Sequence, residues 1–277
     1  IISYGSLWSL RQSSFYKPSF LVNEINEKEF DYIVLGASTG LTTLNTNAID
    51  SVLLTNGLNL SMDDTALSSQ YLMLQHFLAQ GKRTKFCVLA PSAPSFDAKN
   101  SNLSDNDYRF LPYINESYVS DYYGQYSSQP AQLLKWSEWL PTLGVSYFNT
   151  ELFYPSLLAL ITPEKRNRFD SRCNYTYPKR MGNAQPIIEF KELPVEFAND
   201  FIEKIKGLCE LNDIKLVFYF SPINGKKVVT TPTDYTMINH SDLLKNTEYF
   251  YDVIHVNHKG RQATSVQFAI DFKNVLY

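Results

Sequence analysis

Uninterrupted apolar runs, rich in β-branched and aromatic residues, recur along the chain. They cover residues 31–35, 51–54, 85–90 and 215–220, each with a polar residue at its first position only, and each is followed by polar or turn-forming residues. A strand that is buried on both faces reads as a continuous apolar run rather than as an alternation. The four runs are therefore predicted to be strands of a parallel sheet that helices cover on both sides.

Elsewhere, apolar residues recur every three to four positions, the spacing of a helix with one buried face. In the segment 64–80 they follow Asp63 and Asp64, which suit a helix N-cap and first turn, and precede Gly81, a common helix stop. Strands that alternate with helices are typical of an α/β fold. Helices are predicted over 64–80, 130–140, 151–162, 194–212 and 258–275.

Residues 92–190 interrupt this regular order. Ser, Asn, Asp and Tyr dominate the stretch 92–125, and six basic residues lie in the polar segment 163–190. The basic segment is predicted to be a solvated face, and binding of an anionic sugar or polymer is the alternative. We expect a single α/β domain over 1–277 with an irregular excursion at about 92–190.

The composition is that of a folded protein. Hydrophobic residues make up 44% of the 277 positions, enough for a sizeable core. The net charge is −3 and no long basic run occurs, which argues against nucleic acid as a partner. The three cysteines lack the spacing of metal ligands, so neither a metal site nor a disulfide scaffold is predicted.

No stretch of 18 or more apolar residues occurs, so no membrane-spanning helix is predicted within this sequence. The sequence starts at Ile1 without Met. Whether a signal peptide or membrane anchor precedes it is left open by the sequence.

The residues best suited to catalysis are Ser38, directly after the first apolar run, and Asp252 and His255, just before the last predicted helix. Sites in a parallel α/β sheet collect at the carboxyl ends of the strands. A serine hydroxyl needs a neighbouring base, usually histidine, because the imidazole titrates near neutral pH. Asp252 stands three residues before His255, a spacing that on a turn lets the carboxylate orient the imidazole.

The other three histidines suit this role less well. His76 falls inside a predicted helix, His240 in a polar loop, and His258 at the start of the last helix. Two alternatives stay open for Ser38: a cap in a tight βα turn, and part of a phosphate loop, although the nearby glycines lack the spacing of a nucleotide motif. For the acid and imidazole pair, the alternative is a surface ion pair.

Three blocks of the sequence resemble those of the SGNH (GDSL-like) hydrolases and acyltransferases. Residues 36–39, Gly-Ala-Ser-Thr, resemble the family's Gly-Asp-Ser block, with Ala37 in place of the acidic residue. Residues 59–65 resemble its second block, with Asp64 in place of glycine, and residues 252–260 resemble the closing Asp-x-x-His block with its following glycine. The order of the blocks along the chain also agrees.

The resemblance implies a flavodoxin-like three-layer α/β/α sandwich with a mostly parallel central sheet. It implies Ser38 as nucleophile, His255 as base and Asp252 as the orienting acid. No metal or organic cofactor is implied.

The same resemblance assigns the oxyanion hole to the backbone N–H groups of the nucleophile and of Asp64. Asn106 is a further candidate donor, because residues 104–107 match the family's Gly-x-Asn-Asp block except for its glycine. Asn59 and Ser61 are the candidate substrate-binding residues.

We expect acyl transfer from an ester through a serine acyl-enzyme. The acceptor is water or a sugar hydroxyl, so hydrolase and O-acyltransferase both stay open. The chain resembles bacterial SGNH proteins that add or remove O-acetyl groups on cell-surface glycans. This implies an O-acetylated envelope polysaccharide as substrate, a location in the cell envelope, periplasm or medium, and a membrane anchor or membrane acyltransferase partner outside this sequence.

Two other function classes stay open. One is a general carboxylesterase or lipase of the same fold, which acts on a small ester in an apolar pocket. The other is a non-catalytic SGNH-like protein that binds a glycan or a partner protein.

Overall fold

The computed structural model describes residues 2–99, 102–176, 179 and 182–276. The chain forms two compact units. The helical unit comprises Ile1–Lys28, Leu72–Lys82 and Asn100–Asn167, and the sheet unit comprises Glu29–Tyr71, Arg83–Lys99 and Arg168–Tyr277.

Strands and helices alternate through much of the chain. The strands are β1 (Glu29–Gly36), β2 (Gly57–Asn59), β3 (Arg83–Ala90), β4 (Lys191–Val195), β5 (Lys215–Phe220), β6 (Lys226–Thr230) and β7 (Met237–Asn239). The helices are α1 (Ile2–Gln12), α2 (Lys17–Asn23), α3 (Ser38–Thr43), α4 (Thr46–Leu53), α5 (Leu67–Ala79), α6 (Ser117–Gly124), α7 (Gln129–Trp136), α8 (Thr142–Tyr147), α9 (Thr150–Ile161), α10 (Phe201–Glu210) and α11 (His258–Leu276). Short 3-10 helices cover Ala93–Phe96, Asp107–Tyr113 and Thr247–Tyr249.

Five parallel strands form the central sheet, in the spatial order β2-β1-β3-β5-β7. Counted within this sheet alone, the order is 2-1-3-4-5, which is the flavodoxin-like order. β4 and β6 form a separate two-stranded parallel sheet. The predicted α/β sandwich with a mostly parallel central sheet is confirmed.

Side chains that alternate along each central strand serve the two faces of the sheet. On one face, Tyr32, Val34, Val88 and Tyr219 pack with residues of α4 and α11 in a single buried cluster. On the other face, Cys87 of β3 interacts with Cys209 of α10. Burial on both faces explains why these strands read as continuous apolar runs.

The predicted strand at 51–54 is wrong, because α4 occupies that segment and the true second strand is β2. The side chain of Asn45 accepts a hydrogen bond from the backbone N–H of Asn47, which caps the helix, and Leu54 ends it in a left-handed conformation with φ of 57°. Ile49 is buried, whereas Val52 and Leu54 are exposed. The short apolar run is therefore one-sided, a pattern that a four-residue window does not show.

The predicted excursion at 92–190 divides between the two units. Residues 100–167 belong to the helical unit, together with the N-terminal segment and part of α5, whereas residues 168–190 belong to the sheet unit. The stretch predicted as loop contains α6 and two 3-10 helices. Aromatic side chains drive this order, because Tyr108, Phe110, Tyr122 and Tyr123 are all buried there.

Within the described part of the chain, we find no helix that combines the length and the hydropathy needed to cross a bilayer.

Candidate active site

Ser38 lies in the turn between β1 and α3, and it is the first residue of α3. The turn packs directly against the end of β3. A Cβ atom on Gly36 would overlap the carbonyl oxygen of Ala90, and one on Gly40 would lie 2.6 Å from the same oxygen. Both positions therefore require glycine for steric reasons, and the close packing fixes the backbone of Ser38.

The position of this turn in the sheet is significant. β1 has β2 on one side and β3 on the other, so the order of the strands reverses at β1. In open parallel sheets, ligands bind outside the carboxyl ends of the strands at such a switch point. Ser38 follows the carboxyl end of β1, and its side chain is partly exposed.

His255 and Asp252 complete a continuous hydrogen-bonded chain with this serine. The His255 Nε2 atom lies 2.8 Å from Ser38 Oγ, and His255 Nδ1 lies 2.8 Å from Asp252 Oδ2. An ionised carboxylate can only accept hydrogen bonds, so Nδ1 carries the proton and Nε2 accepts from the serine hydroxyl. Residues 217 positions apart in the sequence thus meet in the order hydroxyl, imidazole and carboxylate.

Asp252 is held in its ionised form. Partial burial by itself raises the pKa of the carboxyl group, but hydrogen bonds from the His255 ring and from the backbone N–H groups of Ile254 and His255 outweigh it. The net pKa of Asp252 lies below its ordinary value. The two backbone N–H groups bond to Oδ1 at 2.9 and 2.8 Å, which leaves Oδ2 directed at the imidazole.

Asn257, to which the sequence analysis gave no role, anchors the loop that carries the acid and the base. Its Nδ2 atom donates to the carbonyl oxygens of Glu248 (2.6 Å) and Phe250 (3.4 Å). Its Oδ1 atom accepts from the backbone N–H groups of Lys259 (2.9 Å) and Gly260 (3.1 Å) at the start of α11. Its place just before a helix was the available signal, because asparagine is a preferred N-cap.

Of the four histidines, His255 is the one whose ring contacts a serine hydroxyl within the described residues. His76 is fully buried, with Nδ1 2.8 Å from the Tyr118 hydroxyl and Nε2 3.0 Å from the Pro18 carbonyl oxygen. Burial lowers the pKa of His76 to about 4, so it is a neutral structural residue.

The remaining two histidines have different surroundings. His240 is buried in the sheet unit, where Nε2 lies 2.8 Å from Asp271 Oδ2 and burial lowers the pKa of its imidazole. His258 is the first residue of α11, and its Nδ1 atom has no hydrogen-bond partner among the described residues.

Asp64 lies in the loop between β2 and α5, beside the end of β1. The loop is tied there by a hydrogen bond from the Met62 N–H to the Gly36 carbonyl oxygen, at 3.0 Å. Asp64 has a φ of 50°, in the left-handed region that favours glycine. The backbone thus adopts a glycine-like conformation at the position where the resembling block has glycine, and Asp is among the residues that tolerate it.

Two of the other predicted site residues lie behind the turn that carries Ser38, at Gly36 and Gly40. Asn59 and Ser61 are fully buried, which does not fit direct contact with a substrate. Asn59 Nδ2 instead donates to the carbonyl oxygens of Gly40 (3.3 Å) and Leu44 (2.9 Å), so it holds α3 against the end of β2. Asn106 belongs to the helical unit and precedes the 3-10 helix Asp107–Tyr113, and its role as an oxyanion donor stays a prediction.

The arrangement can activate a serine hydroxyl for attack on a carbonyl carbon. A poor nucleophile, a base with a free ring nitrogen and an ionised acid behind it are the groups that such an attack needs.

Comparison of the chain with protein-family models and with curated protein sequences found no match.

Proposed function

We propose that the protein is a serine-dependent acyl-ester hydrolase or O-acyltransferase of the SGNH type. The observation that carries the proposal is the chain of two 2.8 Å contacts from Ser38 through His255 to Asp252. Its position at the switch point of the parallel sheet, where ligands collect, supports the same conclusion.

In the first half of the reaction, Ser38 Oγ attacks the ester carbonyl carbon as its proton passes to His255 Nε2. Asp252 stabilises the imidazolium that forms. The tetrahedral oxyanion accepts hydrogen bonds from the backbone N–H groups of Ser38 and Asp64, and removal of one such donor typically lowers the rate by about 10²–10³. The C–O bond to the leaving alcohol then breaks, and His255 returns the proton to that alcohol.

In the second half, an acceptor hydroxyl attacks the acyl-Ser38 ester. His255 Nε2 takes the proton of the acceptor and passes it to Ser38 Oγ when the acyl–serine bond breaks. Water as acceptor releases a carboxylic acid, and a sugar hydroxyl yields a new ester. The same residues serve both outcomes, so the acceptor decides between hydrolase and transferase.

The substrate that we propose is an O-acetylated carbohydrate of the bacterial cell envelope. The support is the resemblance of residues 36–39, 59–65 and 252–260 to the SGNH proteins that modify surface glycans. The location in the envelope, and a membrane anchor or membrane acyltransferase as partner, belong to the same proposal.

The proposed nucleophile is tested with an active-site fluorophosphonate and a chromogenic acetyl ester. We expect wild-type protein to be labelled and to release the chromophore, and Ser38→Ala to lose both. We also expect His255→Ala to reduce kcat/KM by about 10⁴ or more, and the matched control His258→Ala to change it by less than about threefold. Labelling that persists in Ser38→Ala would overturn the assignment, and the reverse pattern for the histidines would mean that His258 is the base.

A further inference from the structure

A nine-residue hairpin, which we call the arginine loop (residues 168–176), lies within the sheet unit. Phe169 and Tyr175 form an isolated antiparallel bridge, and the Thr176 N–H donates to the Arg168 carbonyl oxygen at 2.7 Å. Asp170 Oδ1 accepts from two further backbone N–H groups of the loop, at 2.8 and 2.9 Å. The loop is therefore a defined structure rather than an open excursion.

The arginine loop is anchored to the elements that surround the candidate site. The buried Asn174 side chain accepts a hydrogen bond from the Thr46 N–H at the start of α4, at 2.8 Å. The Arg172 carbonyl oxygen accepts from the N–H of the last residue of β2, at 3.1 Å. Arg261 of α11 donates through Nη1 to the Tyr175 carbonyl oxygen. These bonds fix the loop relative to β2, α4 and α11.

Arg168 is exposed at the start of this loop, and the loop bonds to Asn59, whose side chain bonds in turn to Gly40, two residues after Ser38. The guanidinium Nη1 lies 3.5 Å from the Tyr175 hydroxyl. The hydrogen bond to Tyr175 is the main cause of a raised pKa of Arg168, and the carboxylate of Asp63, directly before the candidate oxyanion residue, also contributes.

The backbone of Arg168 is strained as well. Its φ is 56°, in the left-handed region that is strained for a non-glycine residue. Such strain persists where the surrounding structure over-determines the conformation, and it is concentrated at binding sites. The anchored loop thus fixes the backbone of Arg168 in a segment that lies against the end of β2.

We propose that Arg168 is a specificity-determining residue that binds an anionic group (carboxylate, sulfate or phosphate) on the alcohol part of the ester substrate. A guanidinium presents a planar fork of N–H donors that matches these groups. The partly exposed Tyr175 ring lies beside the cation and suits the face of a sugar ring. The inference deepens the proposed function and rests on it: the substrate class becomes an anionic O-acylated carbohydrate.

Binding is measured by calorimetry on the Ser38→Ala protein, which does not turn substrate over. The probes are the trisaccharide of galacturonic acid and the neutral trisaccharide of galactose. We expect the anionic sugar to bind at least about tenfold more tightly, and Arg168→Gln to remove about 10- to 100-fold of its affinity. The matched control is Arg83→Gln, which alters an exposed arginine at the opposite, amino end of β3 and should change nothing. Equal binding of the two sugars, no binding of the anionic sugar, or no effect of Arg168→Gln would overturn the inference.

Kinetics separate this inference from the proposed function. The protein that retains Ser38 is assayed on neutral 4-nitrophenyl acetate and on 4-acetoxybenzoate, whose alcohol part carries a carboxylate. We expect Arg168→Gln to lower kcat/KM about tenfold or more on the anionic ester and less than about twofold on the neutral one. If turnover of both esters depends on Ser38 and Arg168→Gln affects both equally, the inference is wrong and the proposed function still holds. Turnover of neither ester would sink the proposed function, while the sugar-binding result would still decide whether Arg168 binds anions.

Discussion

Two contacts of 2.8 Å bring Ser38, His255 and Asp252, three common residue types, into the arrangement that acyl transfer requires. Each oxygen of the Asp252 carboxylate has a separate partner: Oδ2 bonds to the imidazole, and Oδ1 bonds to backbone N–H groups of its own turn. The bonds from the backbone N–H groups to Oδ1 are local, because all the residues that form them lie within the four-residue Asp-x-x-His sequence. The serine contact is different, since it depends on the whole sheet unit.

Asp64 allows the role of a backbone donor to be separated from that of a side chain. If its N–H group serves the oxyanion, Asp64→Gly should keep kcat/KM within about threefold and keep stability within about 1 kcal/mol, because glycine adopts a φ of 50° freely. Asp64→Val should lose about 1–3 kcal/mol and much of the activity, since a β-branched residue is strained there. Thermal unfolding and ester hydrolysis measure the two effects. A folded Asp64→Gly protein with a tenfold lower rate would show that the carboxylate itself takes part.

At the scale of elements, the acid and the base lie on a loop that α11 and one asparagine hold in place. Asn257 is 1% exposed, so it does not touch a substrate, yet it bonds to both the loop and the helix start. Gly260 lies in the first turn of α11, where a Cβ atom would overlap the Tyr249 carbonyl oxygen. The close approach of helix and loop holds the segment that carries Asp252 and His255 against the start of α11.

Asn257→Ala tests this positioning role. It removes the N-cap and both bonds to the loop, so we expect a loss of about 1–2 kcal/mol in stability. We also expect kcat to fall about tenfold or more with little change in KM, because a displacement of about 1 Å at a catalytic group lowers the rate strongly. The matched control is Asn45→Ala, which removes the N-cap of α4 and should reduce stability without a comparable fall in kcat. Equal kinetic effects of the two variants would contradict the positioning role.

At the scale of the whole molecule, the two units contain different buried histidines: His76 in the helical unit and His240 in the sheet unit. The helical unit contains the neutral His76, whose two ring nitrogens are both satisfied without a charge: Nε2 donates to the Pro18 carbonyl oxygen, and Nδ1 accepts from the Tyr118 hydroxyl. All three tryptophans of the sequence, Trp8, Trp136 and Trp139, also belong to this unit. A change in tryptophan fluorescence therefore originates in the helical unit.

Acid should destabilise the helical unit through His76. Its pKa is about 4 in the folded protein and about 6.5 in the unfolded chain, so between these values the unfolded chain binds a proton that the folded protein does not. Its contribution is fully present above pH about 6.5 and falls by up to about 3 kcal/mol as the pH drops to about 4. Urea unfolding at pH 7 and pH 4.5, followed by tryptophan fluorescence, should show a smaller loss in His76→Gln than in wild type. The same acid loss in both proteins would contradict the prediction.

The sequence by itself determined the elements whose patterns are local and long. The run 215–220 is β5, the helical spacing over 258–275 is α11, and the Asp-x-x-His spacing led to the correct acid and imidazole contact. Buried strands and amphipathic helices carry their environment in their composition, so a single window can identify them. The segments 51–54 and 92–125 were misassigned because burial of their side chains depends on distant partners.

Tertiary structure alone decided the features that join distant parts of the chain. Four features depend on how β1, β2, the arginine loop and α11 pack together. They are the contact between Ser38 and His255, the left-handed backbone of Asp64, the burial of Asn59 and the anchoring of the loop that carries Arg168. No spacing in the sequence encodes these contacts between elements. They follow from the order of the strands and from steric fit, as at Gly36 and Gly40 against Ala90, where the close approach of two backbones leaves no room for a side chain.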